Sequence, residues 1–287
     1  MVIRSDYKQR ASSLTKQRSI VAGVFLFLIV IYSCNRNQLP GTSASKKVTL
    51  KVMTYNIHHA NPPSRAGVID LDAIAKVIQK QGPDLVALQE VDVHTKRSGK
   101  TVNQAEELAH KTGMYFYFAK AIDFEGGDYG VAILSKFPLS SPLTYHLPVA
   151  AGTRGEPRVL ATAMVSMPGG KKLVFACTHL DAQKSDTNRV LQINEVTNIL
   201  KKEQYEVIVG GDFNATPHGK VIDVLDQFLR RTCANNCPFT IPVLKPAKTI
   251  DFIAYSPPGK FLTISHRVIR ETYASDHLPV IADIQTQ

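Results

Sequence analysis

The sequence predicts an α/β fold in which two mixed β-sheets pack face to face with helices on the outside. Three observations carry this expectation. Short apolar or alternating runs of strand length recur along the chain and outnumber the stretches with helical spacing. The helical stretches do not strictly alternate with the strands, which argues against a simple parallel sheet. The chain has 287 residues, is 44% hydrophobic and 20% charged, and so can bury a sizeable core.

The elements follow in order. Val48–Ile57 alternates and reads as a strand ending at Asn56. Asp70–Gln81 opens on Asp and repeats apolar residues at Leu71, Ile74, Ala75 and Ile78, the spacing of a helix face that Gly82-Pro83 ends. Asp84–Glu90 is a buried strand that stops on Gln89 and Glu90, and His94–Thr101 is a polar, basic loop. Asn103–Thr112 is helical, with Gly113 as its cap. Tyr115–Ala119 and Tyr129–Leu134 are strands around an acidic, Gly-rich turn, Asp123–Asp128. Further strands are expected at Leu143–Val149, Arg158–Ser166 and Lys172–His179, and a helix over Gln183–Leu200. Val207–Pro217 (VIVGGDFNATP) is an apolar strand whose Gly210 and Gly211 permit a tight turn. In extended backbone Asp212 and Asn214 then point the same way, and Phe213 points to the core. A helix at Lys220–Leu229 and strands at Thr249–Tyr255, Phe261–Ile269 and Val280–Ile284 complete the chain.

The first 33 residues read as a signal peptide. A basic stretch precedes the apolar run Ile20–Tyr32, which is shorter than the roughly 20 residues of a spanning helix. Ile31-Tyr32-Ser33-Cys34 resembles a bacterial lipobox, which implies lipidation of Cys34 and a membrane-tethered, exported lipoprotein on the periplasmic or cell-surface face. An uncleaved N-terminal anchor is the competing reading. Residues 34–47 are a polar, Pro- and Gly-containing tether, and 48–287 form the folded domain. The formal net charge is +10; five basic and one acidic side chain lie in residues 1–33, so the rest carries +6. That excess suits phosphate-bearing substrates without being a nucleic-acid signature. Cys233 and Cys237 (CANNC) have an address that permits a disulfide, and Cys177 reads as a buried small hydrophobe.

Several apolar strands end in groups of the same kind: Asn56, Glu90, His179, Asp212 with Asn214, and Asp276-His277, while Asp251 lies within a strand. Strand ends gathered at one edge of a layered fold make a natural site. Taken singly, Glu90 is a solvated strand end, His179 a half-buried histidine and Asp251 a structural partner. Taken together they suggest a hydrolytic centre.

The segments MTYNIHH, DLVALQEVD, YGVAILS, THLD, GGDFNATP, IDFIAYS and SDHLPV occur in the order seen in the endonuclease/exonuclease/phosphatase (DNase I-like) superfamily, which the chain resembles over Val48–Gln287. QEVDVHTKRSG resembles its bacterial metal-dependent hydrolase branch, although that branch more often has Asp-Gln where this chain has Asn103-Gln104. The resemblance implies a four-layer α/β sandwich and divalent-metal hydrolysis of phosphoesters. It implies metal-binding roles for Asn56, Glu90 and Asp276, with Mg²⁺ as the ion and Mn²⁺ as a possible substitute. It implies that Asp212 orients or deprotonates the attacking water, that Asn214, His179 and His277 contact phosphate, and that Asp251 pairs with His277. His58, Arg97, Tyr129, Arg154 and Arg158 are candidates for lining the substrate pocket; of His58 and His59, one is expected to pack.

Three functions stay open on sequence. The first is an exported Mg²⁺-dependent phosphodiesterase acting on a lipid head group or another small diester. The second is a scavenging nuclease, and the third a silent phosphate-binding module. No protein partner is predicted. Trp is absent, and no long basic insertion that would grip DNA interrupts the motifs.

Overall fold

The structure is a computed structural model that describes residues 47–257 and 259–287. The expected signal peptide, Cys34 and the expected tether up to residue 46 lie outside the described residues. The chain runs β1 (Thr49–Asn56), α1 (Leu71–Gln81), β2 (Leu85–Val93), α2 (Gln104–Thr112), β3 (Tyr115–Phe124) and β4 (Gly127–Ser135). It continues through β5 (Leu139–His146), β6 (Val159–Ser166), β7 (Lys172–His179), α3 (Thr187–Leu200), β8 (Val207–Asp212) and α4 (Lys220–Asp226). The short β9 (Arg230–Arg231) precedes β10 (Asp251–Tyr255), β11 (Phe261–Val268) and β12 (Val280–Thr286).

Two six-stranded sheets result, ordered β11-β12-β1-β2-β4-β3 and β5-β6-β7-β8-β10-β9. Each is mixed: β1 runs parallel to β2 and β7 parallel to β8, and the remaining pairs are antiparallel. On the outer face of the first sheet, Ile74, Ile78 and Leu108 of α1 and α2 pack with Val86 and Leu88. On the second, Ile193, Val196, Ile222 and Leu225 of α3 and α4 pack with Val174, Val209 and Phe252. The predicted four-layer sandwich is therefore the observed one. Each fully buried large apolar side chain in these layers contributes roughly 1.5–3 kcal/mol.

Strand parity positions the polar residues, because alternate side chains face opposite sides of a sheet. In β1, Leu50 and Val52 line the core between the sheets, whereas Met53 and Tyr55 pack toward the helices. Asn56 has the parity of Leu50 and Val52 and so faces the second sheet. Phe175 and Cys177 of β7, Ile208 of β8, and Ile253 and Tyr255 of β10 line the same inter-sheet core. The same count directs His179, Asp212 and Asp251 inward.

Several boundaries differ from the sequence reading. β2 does not stop at Glu90 but runs to Val93, across a bulge between Leu88 and Val91 in its pairing with β4. β3 and β4 extend toward each other until only Glu125 and Gly126 separate them. β5 begins at Leu139 rather than Leu143, with Leu139 paired to Val165 and a bulge absorbing the serines that follow. α3 starts at Thr187 rather than Gln183, and α4 ends at Asp226. Asp251 opens β10, paired with Asp212, instead of lying inside a strand. Gly210 and Gly211 are not turn residues: both lie within β8. A Cβ on Gly210 would come within 2.9 Å of Ala87 Cβ and 3.1 Å of Thr54 Cβ, so this glycine allows the two sheets to approach. Cys233 and Cys237 form a disulfide, and Cys177 is buried against Gln89 and the Leu88 carbonyl.

Candidate active site

The inward-facing residues meet at one end of the inter-sheet space. Asn56 spans it: its Nδ2 donates to Glu90 Oε1 of its own sheet at 3.0 Å and to Asp212 Oδ2 of the other at 3.1 Å. Its Oδ1 accepts from the His58 N–H at 3.0 Å, and Ser275 Oγ donates to its carbonyl at 2.7 Å. Glu90 reaches this point because of the bulge. Strict alternation would turn it toward the helices, with Leu88, but at φ 57° its backbone re-aims the carboxylate. Asn214 also has a positive φ, 48°, so the extended geometry expected for Asp212-Phe213-Asn214 is not formed. Instead the Asn214 N–H donates to Asp212 Oδ1 at 2.9 Å, and its Nδ2 donates to the Leu180 carbonyl at 2.9 Å. Phe213 is buried, edge-on to Phe252, as its position between the two polar residues suggests.

Asp212 lies between two histidines. His179 Nε2 is 3.5 Å and His277 Nε2 3.8 Å from Asp212 Oδ2. His277 Nδ1 lies 3.1 and 3.0 Å from the two oxygens of Asp251. Burial alone would lower the His277 pKa, but the carboxylates of Asp251, Asp212 and Asp276 outweigh it and raise the pKa to about 10. His277 is therefore an imidazolium at neutral pH. His179 is the opposite case. Its burial first, then Arg158 and His277, hold its pKa well below the ordinary imidazole value. Arg158 Nη1 sits 3.3 Å from His179 Nδ1. A guanidinium can only donate, so Nδ1 accepts and the His179 proton is on Nε2, toward Asp212. Burial and the facing Asp251 raise Asp212 to about 7, against the opposing effects of His277, the Asn214 N–H and Asn56. A carboxylate with a pKa near neutrality, flanked by an imidazolium and a neutral imidazole N–H, can take a proton while its neighbours donate to an oxyanion.

Beside Glu90 the chain forms a tight turn, His58–Ala60, in which three successive non-glycine residues have positive φ (46°, 41° and 60°). A carboxylate oxygen of Glu90 and one ring nitrogen from each of His58 and His59 lie within 4.8 Å of one another. His59 Nδ1 is buried without a hydrogen-bond partner. Burial, Arg97 and His58 lower the His59 pKa to about 4, so the ring is neutral and one of its nitrogens has a free lone pair. This donor set fits a divalent cation. Asp212, Asp251 and His277 are equally close together, but there the imidazole is engaged by Asp251. Asp276 is half-buried beside the centre, with Oδ1 3.4 Å from Ser275 Oγ.

The remaining candidates separate. Arg158 is buried, bound to His179 and, at 3.2 Å, to Glu156. Tyr129 is largely buried; burial, with the Glu90 charge second, raises its hydroxyl pKa far above the ordinary value, and it hydrogen-bonds with Arg158. Arg97 grips the buried Asp92 through two bonds of 2.7 and 2.9 Å and stacks over Phe124, with the Tyr129 ring 5.6 Å away. Arg154 is exposed in the loop before β6. Sequence reasoning missed Ser275 and Gln104. Gln104 donates to the His59 carbonyl at 2.8 Å and accepts from the Asp92 N–H at 2.9 Å, so it holds the histidine turn against β2. Its neighbour Asn103 caps α2 by accepting from the Glu106 N–H. The Asn103-Gln104 pair was the available signal.

Solved structures share this architecture. An endonuclease/exonuclease/phosphatase family protein from Bacteroides thetaiotaomicron superposes with a TM-score of 0.70 at 19% identity, covering 84% of this chain and 99% of that one. The mannosyl-6-phosphatase of the same species gives 0.66 at 19% identity, over 82% and 99%. The human Nocturnin catalytic domain, solved with a bound sulfate, gives 0.65 at 21%, over 84% and 97%. A family profile described as the Endonuclease/Exonuclease/phosphatase family matches residues 53–277, which include every strand-end residue assembled at this centre. The chain thus belongs to the endonuclease/exonuclease/phosphatase family and is a hydrolase of phosphoester bonds.

Proposed function

We propose that the protein is an exported, membrane-tethered phosphodiesterase that uses a divalent cation, with Mg²⁺ or Mn²⁺ as the physiological ion, and acts on a small diester or lipid head group. The observation that carries the hydrolytic reading is Asp212, held by Asn56 and the Asn214 N–H between His179 and His277. Asp212 orients the attacking water and takes its proton. His277, positively charged through Asp251, and the Nε2–H of His179 donate to the phosphoryl oxygens as negative charge builds on them. Glu90 is the principal carboxylate for the cation, which when bound supplies Lewis-acid polarisation of a phosphoryl oxygen.

The preference for a diester follows from charge. Arg158 is paired with Glu156 and Arg97 with Asp92, so both arginines are already neutralised. A monoanionic diester suits this balance better than a dianionic monoester. The Cys233–Cys237 disulfide supports export, since such bonds persist in oxidising compartments.

The test is turnover by the full-length protein, measured with Mg²⁺ and with Mn²⁺, of an aryl phosphodiester, an aryl phosphomonoester, plasmid DNA and a phospholipid panel, with His277→Ala as the blank. Diester or lipid hydrolysis that the variant loses, with DNA and monoester little affected, is expected. DNA cleavage lost in the variant would make the protein a nuclease instead, and wild type as inert as the variant on all four would overturn the enzymatic reading.

A further inference from the structure

We infer that His58 and His59 join Glu90 in a mixed nitrogen and oxygen metal site that selects Mn²⁺ over Mg²⁺. This rests on the reading that Glu90 holds the cation, and it names the ion. The geometry comes from three side chains on two segments. Glu90 Oε1 is taken by Asn56, which leaves Oε2 directed at His59 Nδ1, 4.0 Å away. An ion with bonds of about 2.1 Å brings its ligand atoms to roughly 3–3.5 Å of one another, so the Glu90–His59 pair needs to close by about 1 Å or less, and His58, whose ring nitrogen lies within 4.8 Å of both, by less than about 2 Å.

His59 Nδ1 is buried and has no hydrogen-bond partner. A polar atom in that state carries an uncompensated desolvation cost, which a bound cation removes. His58 has the complementary arrangement. Its Nδ1 lies 2.9 Å from the Asn61 carbonyl, which can only accept. The Nδ1 proton therefore goes to Asn61, and the Nε2 lone pair is free. A ring nitrogen that donates to a carbonyl while the other binds the ion is the usual support of a metal-ligating histidine. The turn that presents both rings is fixed from three directions, by Asn56 Oδ1 on the His58 N–H, by Gln104 on the His59 carbonyl, and by the Asn61 N–H on the His58 carbonyl.

The donor types decide the ion. Mg²⁺ takes oxygen ligands and keeps several waters. Imidazole nitrogens are ligands for transition metals; Mn²⁺ shares the taste of Mg²⁺ for carboxylate and water but, as a first-row transition metal, also binds sites that include nitrogen, more weakly than the later metals do. Two imidazoles beside Glu90, with Asp276 near them, are poorly used by Mg²⁺ and better used by Mn²⁺.

The experiment titrates the full-length protein, stripped of metal, with Mn²⁺ and follows the ion by electron paramagnetic resonance. The expected result is one bound Mn²⁺ whose electron spin-echo modulation carries ¹⁴N couplings from directly bound imidazole. Mg²⁺ should displace it only in about 100-fold excess or more. Binding should weaken at least tenfold in His59→Ala and in His58→Ala, with folding checked by circular dichroism. Bound Mn²⁺ without nitrogen coupling, displacement by equimolar Mg²⁺, or no bound Mn²⁺ would overturn the inference; the wild-type spectrum alone decides this if a variant fails to fold. Nitrogen coupling without diester turnover would keep the site and remove the proposed function. Turnover without coupling would do the reverse.

Discussion

Asp212 and Asp251 face each other across paired strands, two carboxylates in a dry space with one imidazolium between them. Asp251 raises the pKa of both Asp212 and His277, and that gives the centre its pH profile. The reaction needs Asp212 ionised and His277 charged. Activity should therefore rise as pH passes through about 7 and fall only near 10. Replacing Asp251 by Asn removes a charge that raises both groups. His277 then loses its proton at lower pH, with Asp212 and Asp276 as the acidic neighbours still holding it, and Asp212 ionises more readily. Both limbs of kcat/KM against pH should move to lower pH in Asp251→Asn, and activity at pH 8–9 should fall on the order of 10–100-fold. An unchanged alkaline limb would show that His277 does not act as a charged donor.

At the scale of strands and turns, the site is an exercise in counting by two. Asn56, His179, Asp212 and Asp251 share parity with the apolar residues of their own strands, so their convergence was legible before any coordinates, as were the layers. Glu90 was not legible in that way. Its orientation depends on a bulge that exists only in the pairing of β2 with β4, which is a long-range register. The turn of His58, His59 and Ala60 was hidden too, because it takes left-handed backbone without the glycine that normally announces it. Gly210 misled in the opposite sense: it resembles a turn residue and is a spacer between sheets. Gly210→Ala should push Thr54 and Ala87 away from β8 and cost about 1–3 kcal/mol, measured as a lower denaturant midpoint. Because Asn56 joins Asp212 across that same gap, turnover in the variant should fall more than its stability at the assay temperature accounts for.

For the whole molecule, the proposal of export and tethering makes a direct prediction. Full-length protein in a bacterial host should fractionate with membranes and incorporate labelled palmitate, and Cys34→Ser should abolish the label. Label retained in the variant would exclude Cys34 as the lipid-bearing residue. The pairing of β1 with β12 then has a consequence for how an anchored molecule is displayed. Chain entry and chain exit lie side by side, where the Thr286 N–H donates to the Val48 carbonyl. β1 begins there and delivers Asn56 to the centre at its far end, eight residues and about 25 Å away. The domain is thus entered at its foot and opens at its brim, like a cup, with its first and last strands side by side below and the catalytic mouth above.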